Sequence, residues 1–106
     1  MLSVFKRISV DEAATLIEEQ QALVVDIRDV NTFANGHINQ AIRVDNDNLR
    51  QFLDSNDKSR PLVVCCYHGN SSQSAAQMFF EQGFTQSYSM DGGMCEWVIK
   101  HPVVSS

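Results

Sequence analysis

Residues 61–72, Pro-Leu-Val-Val-Cys-Cys-Tyr-His-Gly-Asn-Ser-Ser, constrain this chain more than any other stretch. The run Leu62–Cys66 is apolar on both of its alternating faces, so it predicts a strand covered on both sides, as in a parallel sheet. The pattern then breaks into a loop, and helical periodicity begins within a few residues. Residues 73–82 place Ala75, Ala76, Met78, Phe79 and Phe80 on a broad apolar face, with Gly83 as the stop. A strand that feeds a helix through so short a loop aims its last side chain at the unpaired N–H groups of the helix's first turn. Here that side chain is the Cys66 thiol. Gly69 admits backbone torsions barred to other residues and Asn70 tolerates them, so the loop can turn successive amides inward as an anion nest. Ser71 or Ser72 can cap the helix. Such dipoles depress a thiol's pKa and fit a nucleophilic cysteine with an anionic substrate. The residues alone also allow Cys66 to be a small hydrophobe closing a strand.

Strand and helix patterns alternate along the rest of the chain. Ser9-Val-Asp-Glu12 has capping-box spacing, and Val10, Ala13, Ala14 and Ile17 follow on one helical face. Ala22–Ile27 reads as a strand, apolar except for Asp26, and a weaker strand lies around Ala41–Val44. A helix is expected from about Asn48, with Leu49, Phe52 and Leu53 on one side and Asp47 as its cap. Ser87–Met90 reads as a brief strand, Asp91-Gly-Gly93 as a turn, and Met94, Trp97 and Val98 as the packed face of a last helix before Pro102. Val4–Ile8 can add an outer strand. The expected fold is α/β: a mostly parallel central sheet with helices on both faces. Ligands of such sheets sit beyond the carboxyl ends of the strands, where Asp26–Asp29, Cys66–Ser72 and Asp91–Gly93 would gather.

The whole chain, residues 1–106, suffices for one domain with its own core. A formal charge of −5 argues against nucleic acid and against an anionic membrane face as partners. A bound anion must then be held by local dipoles. Met1–Arg7 lacks the apolar stretch of a signal peptide, and Leu62–Tyr67 is too short to span a membrane. Three cysteines, two of them adjacent, are no disulfide framework, so a cytoplasmic location is expected. Cys65, Cys66, His68 and Cys95 contain no C-x2-C pair and do not converge as metal ligands, so no metal is expected.

Asp26-Ile-Arg-Asp29 followed by Phe33-Ala-Asn-Gly-His-Ile38 and Ala41 resembles the signature of the rhodanese family, complete and in register. The strand ending in cysteine, the six-residue loop, Asp91-Gly-Gly93 and Trp97 match in the same order, and the resemblance covers roughly residues 5–102. The loop Cys-Tyr-His-Gly-Asn-Ser is most similar to those of bacterial single-domain thiosulfate sulfurtransferases. The resemblance implies that Cys66 attacks the sulfane sulfur of thiosulfate, expels sulfite and carries the sulfur as a persulfide. A thiophilic acceptor, cyanide or a dithiol protein such as thioredoxin, would then remove it. Tyr67, His68, Gly69, Asn70, Ser71 and Ser72 would form the substrate-binding loop, with Asp26 and Arg28 as supporting residues on the rim. No cofactor is implied.

Two alternatives share this architecture. Some rhodanese-like domains are non-catalytic carriers or binding modules, although those that have lost the cysteine differ from this chain. Related phosphatases use Cys-x5-Arg, whose guanidinium grips phosphate bidentately, but Ser72 occupies the arginine position here. Many rhodaneses also carry arginine or lysine in the loop. This one does not, so backbone amides must do the binding, and a weak Michaelis constant for thiosulfate is expected.

Other polar residues admit structural roles. Asp26, if buried, must be paired with Arg28 or with loop amides, with direct chemistry the alternative. Arg28 and Asp29 are expected on the rim, as an ion pair or as two solvated charges. His37 is expected to stabilise a turn rather than to catalyse. His68 could assist the leaving sulfite or be exposed while its amide acts. Cys65 should point to the opposite face from Cys66 and pack in the core, with trapping of an oxidised neighbour as the alternative.

Overall fold

The computed structural model describes residues 4–106; Met1–Ser3, which include the start of the Met1–Arg7 stretch read above, lie outside the described residues. Five short strands, β1 (Lys6–Ile8), β2 (Leu23–Asp26), β3 (Ile42–Arg43), β4 (Leu62–Cys65) and β5 (Ser87–Met90), form one sheet. Every pairing is parallel and the strand order is β1-β5-β4-β2-β3. The register sets Val63 of β4 beside Val24 of β2 and Tyr88 of β5. The strand that ends at the cysteine pair is therefore central, and all four of its residues are buried.

Between the strands run α1 (Val10–Gln20), α2 (Val30–Asn35), α3 (Leu49–Ser55) and α4 (Ser71–Glu81), and α5 (Gly93–Lys100) follows β5. Alternation along the strands creates two cores. Val24, Val63, Cys65 and Met90 pack with Val10, Ala13, Met94 and Trp97 from α1 and α5. Leu23, Val25, Leu62 and Val64 pack with Phe52, Leu53, Ala76 and Phe79 from α3 and α4. Helices thus cover both faces, as a continuous apolar strand requires.

Several ends follow from local chemistry. Ser9 and Glu12 form the capping box, with Glu12 N–H to Ser9 Oγ at 3.0 Å and Ser9 N–H to Glu12 Oε1 at 2.9 Å. α4 ends in a Schellman arrangement: Gly83, at φ 112°, donates to the Phe80 carbonyl, and Phe84 to that of Phe79.

Other ends differ from expectation. Asp47 does not cap α3, whose preceding residue is Asn48 without a side-chain cap; Asp45 Oδ1 instead accepts the Asp47 and Asn48 amides and builds the turn. Neither Ser71 nor Ser72 caps α4, because Ser71 already lies inside the helix and Asn70 precedes it. Val98 is 51% exposed and not on the packed face of α5; Met94 and Trp97 supply the burial. The helix α2 had no apolar periodicity to reveal it, since none of its six residues is buried. Its signal was the cap at Asp29, whose side chain accepts the Thr32 amide at 2.9 Å.

Candidate active site

Cys66 lies one residue past β4, on the carboxyl rim of the sheet, and is 5% exposed. The Gly69 and Ser72 amides donate to its sulfur at 3.2 and 3.3 Å. Ser72 is the second residue of α4, so the sulfur takes the acceptor position that a capping side chain would otherwise fill. That explains why no serine caps this helix. Burial pushes the Cys66 thiol up, but the Ser72 hydroxyl and the amides of Ser72, Gly69 and His68 outweigh it, and the pKa lies below the ordinary thiol value. Ser72 is fully buried, with its hydroxyl 2.8 Å from that of Ser89 on β5.

The loop backbone is fixed from the other side by α5. Met94 N–H donates to the Cys66 carbonyl at 2.8 Å, and Cys95 N–H to the Tyr67 carbonyl at 3.0 Å. The first turn of one helix thereby satisfies the loop's carbonyls while the first turn of another meets the sulfur. This approach needs glycine at 93: with φ at 60°, a Cβ there would lie 2.3 Å from the Tyr67 carbonyl oxygen. Gly69, at φ 90°, is also held close, with an added Cβ 2.9 Å from the Gly92 nitrogen. Asp91-Gly-Gly93 is thus a turn packed directly on the cysteine loop.

Asp26 is buried and paired with Arg28, one of the two arrangements expected of it. Arg28 departs from expectation: it is buried, neither solvated on the rim nor paired with Asp29. Asp26 is fully buried and receives Arg28 Nη2 at 2.7 Å, Arg28 Nε at 3.0 Å and the Arg28 amide at 3.0 Å. Arg28 Nη2 also donates to the Gly36 carbonyl at 2.7 Å. A buried carboxylate needs such a partner, and a two-residue separation at a strand end lets one guanidinium supply it. Arg28 faces the Tyr67 ring at 5.9 Å from its centroid, with its charge matched by Asp26.

Cys65 points to the opposite face, fully buried, 3.4 Å from the Val25 carbonyl. Burial and the nearby Asp26 charge push its thiol well above the ordinary value, so it stays protonated. His37 stacks on Phe33 at 3.9 Å and places Nδ1 2.7 Å from the Phe33 carbonyl oxygen. His68 and Asn70 are exposed on the loop. Asp29 lies beside the loop, as its place on the shared rim predicts, and Thr32, which the sequence does not single out, joins it: the Tyr67 hydroxyl lies 3.0 Å from Asp29 Oδ2 and 2.7 Å from Thr32 Oγ1. Among the described residues, no group of three or more His, Cys, Asp or Glu side chains is placed to hold a metal ion.

Two surface cavities lie elsewhere. One of about 440 Å³ is lined by Ile8, Asp11, Glu12, Thr15, Leu16 and Tyr88, and one of about 460 Å³ includes Leu23, Ile42 and Arg60. Neither includes Cys66. The site is a ring of amides around a sulfur, suited to a small anion or to a group presented by a larger partner.

The chain that sets the Cys66 sulfur in an amide ring, where a central parallel strand gives way to a helix, matches the Rhodanese-like domain family model over residues 9–100 and belongs to the rhodanese family. It is 50% identical over 96 residues to the protein named thiosulfate sulfurtransferase GlpE in Shewanella oneidensis, covering 91% of this chain and 95% of the relative. The like-named protein of Pseudomonas aeruginosa is 47% identical over 106 residues, covering 100% of this chain and 96% of the relative. A rhodanese-related crystal structure from Thermoplasma volcanium has the same fold, with a TM-score of 0.80 at 24% identity over 95% of this chain and 99% of that one.

Proposed function

We propose that this chain is a thiosulfate sulfurtransferase, acting as a single domain, that carries sulfane sulfur as a persulfide on Cys66. The observation that carries the reading is the convergence of the Gly69 and Ser72 amides on the Cys66 sulfur. The activity printed in the names of relatives about half identical over nearly the full chain supports it.

The chemistry follows from the site. The Cys66 thiolate attacks the outer sulfur of thiosulfate; the S–S bond breaks, and sulfite leaves with the bonding pair. The amides from His68 to Ser72 hold the terminal sulfur and the charge that develops during transfer. Cyanide or a dithiol such as thioredoxin then attacks that terminal sulfur, and the cysteine leaves again as a thiolate. Thiocyanate, or a persulfide on the acceptor, is the second product. Two half-reactions on one nucleophile give ping-pong kinetics. Arg28 is committed to Asp26 and the loop carries no lysine or arginine, so the dianion meets amides alone and thiosulfate binds weakly. No helix among the described residues is long and apolar enough to cross a membrane, and all three cysteines are free, which fits a reducing cytoplasm.

The test supplies thiosulfate and follows intact mass. The expected result is a gain of one sulfur atom that disappears on adding cyanide as thiocyanate forms. Cys66→Ser should abolish both. Thiocyanate formation by Cys66→Ser at the parent rate would overturn the assignment. Hydrolysis of an aryl phosphate without sulfur gain would favour a phosphatase instead.

A further inference from the structure

Tyr67, the first residue after the nucleophile, is anchored twice. Its carbonyl accepts from the Cys95 amide of α5, as described above. Its side chain crosses to the first turn of α2, 38 residues away in sequence, and its hydroxyl meets Asp29 Oδ2 at 3.0 Å. Thr32 Oγ1 lies 2.7 Å from the same hydroxyl and 2.8 Å from Asp29 Oδ2, so three oxygens form a closed triangle. A carboxylate only accepts, while the two hydroxyls bring two protons to three contacts. Asp29 is therefore the acceptor that organises the group. The Thr32 amide and hydroxyl, then the Tyr67 hydroxyl, hold its pKa at about 2, so it remains ionised at neutral pH.

This carboxylate does two jobs with two oxygens. Oδ1 caps α2 through the Thr32 amide, and Oδ2 takes the hydroxyls. α2 buries none of its residues, so apolar packing does little to relate it to the cysteine loop. The polar triangle supplies that link. The span from Cys66 to Gly69 is then held between α5 at its backbone and α2 at its side chain, which keeps the Gly69 and Ser72 amides aimed at the sulfur. We propose that Asp29, through the Tyr67 hydroxyl, is a positioning residue that holds the Cys66 loop in its sulfur-binding shape. Neither residue touches the sulfur through its side chain; each acts through the loop.

The catalytic meaning of this inference rests on the sulfurtransferase reading, so the test reads the thiolate directly as well. The full-length protein carries Cys95→Ser to remove the exposed thiol, and the pH–rate profile of iodoacetamide alkylation reports the Cys66 thiolate. Tyr67→Phe removes the hydroxyl but keeps the ring over Arg28. Asp29→Asn keeps a capping oxygen for Thr32 and replaces the oxygen that Tyr67 meets. Each variant should move the acid limb upward by roughly 0.3–1 pH unit and slow sulfur loading from thiosulfate by about 2–10-fold, the worth of one hydrogen bond to an ionised network. Tyr67→Phe/Asp29→Asn together should do no more than either alone, because both break one tether. A profile unchanged in Tyr67→Phe overturns the proposal, as do effects of the two substitutions that multiply. Failure of the Cys95→Ser parent to take up sulfur at all would instead overturn the sulfurtransferase reading and leave the alkylation result to stand by itself.

Discussion

Two adjacent thiols separate by environment alone. Cys66 meets amides at a helix start, while Cys65 meets a strand carbonyl and an apolar core. The Cys66 pKa is lowered and that of Cys65 is raised, so of the adjacent pair Cys66 has the larger thiolate fraction. Because the thiolate is the reactive form, sulfur loading should hold at alkaline pH and fall as pH drops through the folded Cys66 value, which lies below the ordinary thiol value. Iodoacetamide on the native protein near pH 8 should label Cys66 and spare Cys65, with Cys65 reacting only after unfolding in denaturant. Peptide mass mapping decides it; comparable native labelling at Cys65 would contradict the assignment. The residue-scale reading was largely legible in the sequence, because alternation along a strand separates the faces of neighbouring residues. The position of Arg28 was not, since its charge could have faced Asp26, Asp29 or water.

The site is assembled from the ends of elements. β4 delivers the sulfur, α4 supplies the amides, and α5 docks its first turn on the loop's carbonyls. That docking depends on Gly93, where a Cβ would meet the Cys66 and Tyr67 carbonyl oxygens at 2.6 and 2.3 Å. Both are backbone atoms and cannot rotate away. Gly93→Ala should therefore displace α5 from the loop, lowering stability by about 1–3 kcal/mol and sulfurtransferase turnover by at least tenfold. Urea unfolding and thiocyanate production measure the two effects; a variant with parental stability and turnover would show that the contact is dispensable. The capping box and the Gly83 stop of α4 were readable because their signals lie within a few residues. The capping of α4 is not legible locally, since the group that meets the Ser72 amide is a sulfur six residues upstream rather than a neighbouring hydroxyl. Helix α2 has no periodic signal in the sequence because it lacks a buried face, leaving a single cap as its signature.

For the whole molecule, one thin sheet separates two apolar layers, and each layer must be complete for the rim to hold its shape. Phe79 is one of three buried phenylalanines of the α3/α4 layer, 1% exposed, and meets Phe52 and Phe84 at ring-centroid distances of 5.6 and 5.9 Å. Phe79→Ala should cost about 3–5 kcal/mol, a large share of the stability of so small a domain. Urea titration followed by circular dichroism checks this, and a loss under 1 kcal/mol would mean that the layer repacks.

By itself the sequence determined the alternation of elements, the covered parallel sheet, the division of the cysteine pair and the family, because those signals repeat at intervals of two to four residues or lie in one contiguous motif. Only the tertiary structure decided which charges meet, that Ser72 faces Ser89, that Gly93 presses on Tyr67 and that Tyr67 reaches Asp29. These pairs are set by the strand order β1-β5-β4-β2-β3 and by how far each strand runs before its loop. Their energies depend on distances that no local pattern encodes.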